Sequence, residues 1–263
     1  MSRKALRLLL AAYLVVGLAA AAGWIGGGWA EMRDGFESLP PGAAGLLGTD
    51  HLGRDVLARV LQGTWIALVV GGMAAGLAVV VGAALGLLAG WHRGWADEAL
   101  VWLSGVVAAV PGILLILAVG FVLERGLASV CLAIAVATWV GVFRLVRAEV
   151  LKLKQLEFVA AARASGAGAG RILLRHLLPN LRGLLSVQFS LRFVYAVKAE
   201  VLVSFLGVGL LDQPSWGRMI ARAQYDLGNG LWWPLAAATA ALGGLVLSVQ
   251  LLAEPETGSY VDY

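Results

Sequence analysis

Charge is what this sequence has least of. Only 14% of its 263 residues are Asp, Glu, Lys or Arg, whereas soluble domains run at about a quarter. Beside 60% hydrophobic residues, that shortage excludes an ordinary soluble globular domain. Thiols are scarcer still. The single cysteine, Cys131, lies in an apolar run and has no partner for an intrachain disulfide. The three histidines, His51, His92 and His176, are not at ligand spacing, so no metal site is expected in this chain. There is no G-x-x-x-x-G-K-[ST] loop, and the glycines at 166, 168 and 170 lack the Lys-Ser/Thr that would follow. That excludes a phosphate-cradling ATPase loop of this type. The net charge of +4 is no nucleic-acid signal either, because the basic residues gather in particular loops.

Long apolar runs are what the chain has instead. A hydrocarbon core roughly 30 Å thick is crossed by about 20 apolar helical residues. Six such stretches fall at about 6–30, 63–90, 99–123, 127–147, 181–210 and 231–253. The expected fold is an all-α polytopic membrane protein. The first stretch follows a basic segment as in a signal peptide, but its apolar run is too long for one and reads as a retained span. The glycines of Val69–Gly90 favour close helix–helix contact over a lipid-facing surface. Pro111-Gly112 inside the third stretch predicts a kink or a break.

Six spans put both termini on one side. Arg3, Lys4, Arg7, Arg93 and the basic residues from Arg144 to Arg182 share that side, twelve in all. Arg33, Arg54, Arg59, Arg125, Arg218 and Arg222 make six on the other. The excess side is expected to be cytosolic, so loops 31–62 and 211–230 face outward.

The segment "EFVAAARASGAGAGRILLRHLLPN", Glu157–Asn180, then lies in the cytosol. Strong helix formers with a slim surface at Ala160, Ala161 and Ala162 are broken by Gly166, Gly168 and Gly170. A second short amphipathic helix follows, with Ile172, Leu173 and Leu177 apolar and Arg171, Arg175 and His176 polar, and Pro179 closes it. Two readings stay open on composition alone: a basic loop that anchors lipid phosphates, or a compact docking knob.

The arrangement resembles the EAA loop of the inner-membrane permease subunits of binding-protein-dependent ABC importers. That loop reads roughly E-A-A, three residues, G, nine residues, I-x-L-P. Ala161 and Ala162 match the alanine pair, Gly166 the glycine, and Leu178-Pro179 the closing pair. Ala160 stands at the glutamate and His176 at the isoleucine, with Glu157 one turn earlier. Two further blocks, Leu47–Gly71 and Ala199–Ile220, resemble the C-type subunit of the dipeptide, oligopeptide and nickel importers. The tail "LLAEPETGSYVDY" departs from the family's ending.

The resemblance implies a type I importer fold divided as 1–62 (first helix and outer loop), 63–253 (transmembrane domain with a coupling loop at 152–180) and 254–263 (tail). It implies a multi-pass protein of a bacterial or archaeal cytoplasmic membrane. Its expected partners are a homologous second permease, two cytosolic ATPase subunits and an extracytoplasmic substrate-binding protein. ATP and Mg would be held by the ATPases, and this chain would carry no cofactor. Glu157, Ala160, Ala161, Ala162, Arg163, Gly166 and Pro179 would couple it to an ATPase. Asp50, Arg54, Asp55 and Trp216 would form the outer gate or contact the binding protein, with Asp50 or Thr49 capping a short helix. Di- or oligopeptides are the expected cargo, with nickel or a metal chelate as the alternative.

In span five, Gln188, Arg192, Tyr195 and Lys198 fall within an arc of roughly 120° at about 100° per residue, and Glu200 lies elsewhere. Charges inside spans face a bundle interior or a water-filled cavity. These residues are candidates for the pathway wall, or they are structural charges paired with neighbouring helices. Trp216, Trp232 and Trp233 suit a membrane interface. No zinc-protease motif or nucleophile–base pair argues for a membrane enzyme, and a passive channel would not need the Ala–Gly elbow.

Overall fold

In a computed structural model, which describes residues 2–123, 126–210 and 213–253, the chain is helical, with no strand among those residues. The spans are α1 (Arg3–Ala21), α2 (Val56–His92), the pair α3 (Trp95–Ala109) and α4 (Gly112–Val122), and α5 (Leu127–Leu153). A loop carries α6 (Glu157–Ala164) and α7 (Ala169–Ile172), a π turn over Leu173–Leu177, and α8 (Leu178–Asn180). Then come α9 (Arg182–Phe205), α10 (Trp216–Gly228) and α11 (Trp233–Ala253). The tail 254–263 and Arg125 lie outside the described residues.

Among the described residues, four helices are long and apolar enough to cross a bilayer. The fifth crossing is the α3–α4 pair, bent by 93° where the Pro-Gly dipeptide was expected to break it. Packing shows that the pair crosses as one broken span. Asp97 and Ser104 of α3 bond Arg147 and Arg144 in the second half of α5. Ile113, Ile116 and Leu117 of α4 pack with Val130, Cys131 and Ile134 in its first half. At 24 residues α9 is about 36 Å long. It is long enough for a sixth crossing but is set apart from the apolar spans by Arg192, Lys198 and Glu200.

Some boundaries differ from the sequence reading. Helix α1 stops at Ala21, because Gly23 turns the chain out of the helix at φ 74°. Helix α2 starts at Val56, and its cap is Asp55, whose carboxylate accepts from Ala58 N at 2.9 Å. The short helix expected after Asp50 or Thr49 is a turn, in which Asp50 accepts from Leu52 N and Arg54 N. Thr49 instead accepts from Leu39 N at 2.9 Å. Pro179 does not end its helix either. It lies inside α8, after a π turn that replaces the regular geometry in which its ring would meet the carbonyl of Arg175.

The centre of the bundle is the α2–α5 seam. A Cβ on Gly82 would lie 2.7 Å from Trp139 O, one on Gly86 2.8 Å from Phe143 O, and one on Gly90 2.8 Å from Val150 Cβ. Glycine at four-residue spacing therefore lets two backbones touch, as small residues do between membrane helices. Gly71 meets Phe193 of α9 in the same way. Helix α1 is fastened outside this core, with the Tyr13 hydroxyl donating to Ala241 O at 2.8 Å.

Candidate functional site

The connections gather at two ends of the bundle. At one end α6 rests against the C-termini of α2 and α5. Val159 is fully buried with Val150, Ile172 and Leu177, so the amphipathic pattern of Arg171–Leu178 packs its apolar side inward and leaves Arg171 and Arg175 exposed. The Arg163 guanidinium stacks on Trp91 of α2 at 4.7 Å. Lys154 donates to Gly90 O at 2.7 Å; burial, with Arg93 and Arg163 nearby, holds its ammonium below the usual lysine range.

The rest of α6 points away from the protein. Glu157, Phe158, Ala160, Ala161 and Ala164 are exposed and Ala162 is half-buried. Glu157, Ala160 and Ala161 are spaced i, i+3, i+4, so the acid shares a face with the alanine that stands in the glutamate position. Gly166 turns the chain after α6 at φ 78°, in the left-handed region that glycine enters without strain. Of the residues expected to couple, Arg163 and Ala162 are turned toward their own protein, and Pro179 lies beyond the exposed face.

At the other end the loop before α2 meets α10. Asp50, 5% exposed, accepts from Leu52 N at 2.9 Å, Arg54 N at 3.0 Å and Arg54 Nε at 2.8 Å. Arg59 Nε lies 3.8 Å from the same carboxylate. Burial would raise the Asp50 carboxyl, but the Arg54 hydrogen bonds and charge outweigh it and hold the group below the usual range. His51 Nδ1 lies 2.8 Å from Asp226, and Arg222 Nη1 lies 3.1 Å from His51 Nε2. Since the guanidinium only donates, Nε2 accepts and Nδ1 carries the proton that goes to Asp226.

Trp216 is buried, with its indole N–H on Val60 O at 3.0 Å, and Trp233 bonds Thr49 O at 3.0 Å. Sequence reasoning put both at an interface. Their N–H partners are up to 184 residues away in the chain, a signal no local pattern carries. Trp232 alone of the three is exposed.

Within α9, Glu200 is buried and accepts from Ser204 Oγ at 2.7 Å. It packs against α10, where a Cβ on Gly217 would lie 3.2 Å from Glu200 Oε2. Gln188 is also buried and accepts from Arg192 Nη2 at 3.3 Å. Tyr195 and Lys198 are exposed. The structure thus brings Arg192, Tyr195 and Lys198 to one open wall and sends Glu200 into the outer packing.

The signature of the binding-protein-dependent transport system inner membrane component matches residues 82–257. The chain belongs to that family. This permease is 36% identical over 259 residues to a putative peptide transport system permease protein of Brucella suis, spanning 97% of this chain and 86% of that protein. It is 40% identical over 188 residues to the glutathione transport system permease protein GsiD of Pectobacterium atrosepticum. That match spans 71% of the permease and 62% of GsiD. With the dipeptide transport system permease protein DppC of Bacillus subtilis, identity is 37% over 200 residues, 76% of this chain and 62% of the relative. The family places the permease in the inner membrane, in keeping with its apolar helices.

Proposed function

We propose that this permease forms, with a second and homologous permease, the pathway through which di- or oligopeptides are imported. ATP is hydrolysed on two separate subunits, which hold the nucleotide and its Mg. The outward face of α6 carries the proposal. A helix anchored by one buried residue, Val159, and otherwise offering Glu157, Phe158 and three alanines to solvent is shaped to enter a groove on another protein. Slim alanines admit a close partner, and Gly166 lets the chain turn back at once. ATP-driven movement of that partner would reach α2 through the Arg163–Trp91 stack and the bundle through the glycine-tight α2–α5 seam.

Support for the cargo comes from the relatives, whose names specify peptide, dipeptide and glutathione transport. The excess of basic residues beside α6 supports a cytosolic location for that end and for both termini. The opposite end, with loop 22–55 and α10, would then receive cargo from an external binding protein.

Gly166→Pro and Ala161→Arg should each abolish uptake with membrane insertion intact. Co-purification with the ATPase subunits should fall with it. Normal association together with normal uptake in both variants would sink the coupling role.

A further inference from the structure

Arg192 and Lys198 of α9 have no counter-charge among the described residues: no carboxylate lies within ion-pair distance of either. The other charge of this span, Glu200, is bonded to Ser204 at the α10 side. Arg192 has a single long bond to Gln188, and its Nε is buried without a partner. Arg192 lies about 15 Å along α9 from its first residue and about 20 Å from its last, near the middle of the crossing. Charges at that depth face a bundle interior or a water-filled cavity.

A cavity is present. A recess of about 300 Å³ between α9 and α11 is walled by Ser190, Arg192, Tyr195, Lys198 and Gln250. Among the described residues its charged groups are both positive, and its other polar side chains can all donate hydrogen bonds. Tyr195 also links the wall to the broken span: a Cβ on Gly112, the first residue of α4, would lie 3.1 Å from its hydroxyl. The break in the α3–α4 pair therefore lies beside the same wall as the cations.

We propose that this recess is a mid-membrane station for the carboxylate of an anionic cargo, with Arg192 and Lys198 as its specificity-determining cations. For a peptide, the group held would be the C-terminal or a side-chain carboxylate. A bare divalent cation would be repelled. The identity of the cargo rests on the permease reading above; the sign of the recess does not.

A reporter thiol in the assembled complex separates the two. The native Cys131 is fully buried, so Tyr195→Cys, or Ser190→Cys as a second reporter on the same wall, supplies the accessible thiol. Negatively charged sulfonatoethyl methanethiosulfonate should modify it roughly tenfold faster than the positively charged trimethylammonium reagent, as a one-sign cleft concentrates counter-ions. Adding Arg192→Met with Lys198→Met should bring the ratio to one or below. Equal rates, a faster cationic reagent, or no modification of either reporter would overturn the proposal. The cationic preference would mean that the partner permease supplies a buried acid here. An anionic preference in a complex that imports no peptide would keep the recess and remove the peptide reading.

Discussion

At the end of the bundle that holds α10, buried polar groups are answered from within the protein. Asp50 binds Arg54 and approaches Arg59, His51 joins Asp226 to Arg222, and the Trp216 and Trp233 indoles bond backbone carbonyls of distant segments. At the end that holds α6, one buried valine, one cation–π stack and one lysine-to-carbonyl bond fix the helix, and its outer face is bare. The first end is a closed, cross-braced lattice. The second is pre-positioned but unsatisfied, which is what the proposed docking to another protein requires.

The comparison breaks most visibly at Asp50. Asp50→Asn keeps the size of the side chain but leaves Arg54 and Arg59 buried without their counter-charge. Losing one partner of a buried pair costs about 3–5 kcal/mol, and thermal unfolding of the purified permease in detergent should show it. At the other end, Arg163→Ala removes a contact worth about 0.5–1 kcal/mol at an exposed site. Stability should barely change, while ATP hydrolysed per substrate moved should rise because α6 is less firmly tied to Trp91. Unchanged coupling in that variant would remove Arg163 from the path of transmission.

The smallest effect expected is that of mild acid. The folded Asp50 carboxyl sits below its ordinary value, about 3.9 in an unfolded chain. Its contribution is complete above that value and is lost only as pH falls through the lower, folded one. Lowering the pH from 7 to 5 should therefore leave the Asp50 contribution intact. Comparing unfolding midpoints of wild type and Asp50→Asn across that range would check it, since their difference should stay constant.

Much of the end that holds α6 was legible in the sequence because its determinants are local. Ala160–Ala162 followed by Gly166 spells a slim helix and a turn, and the apolar spacing of Ile172 and Leu177 marks the side that packs. Pro111-Gly112 announced the break for the same reason, since a missing N–H and a ring clash act within one turn. The short helix expected after Asp50 or Thr49 is a turn, because the Asp50 carboxylate answers Leu52 N, Arg54 N and the Arg54 guanidinium within four residues. Trp216 and Trp233 read as interface residues by type, but their indoles found carbonyls in another segment.

By itself, then, the sequence determined the class, the helical spans, the α6 elbow and the broken third span. These follow from hydrophobic run length and from proline and glycine chemistry, which need no distant partner. Only the tertiary structure decided which charges are answered and which are not. Glu200, Arg192 and Lys198 lie on one helix within nine residues of one another, yet α10 packs beside the first and no described carboxylate reaches the other two. Charge pairing depends on which helices pack together, and at Glu200 that is the α9–α10 contact that Gly217 allows.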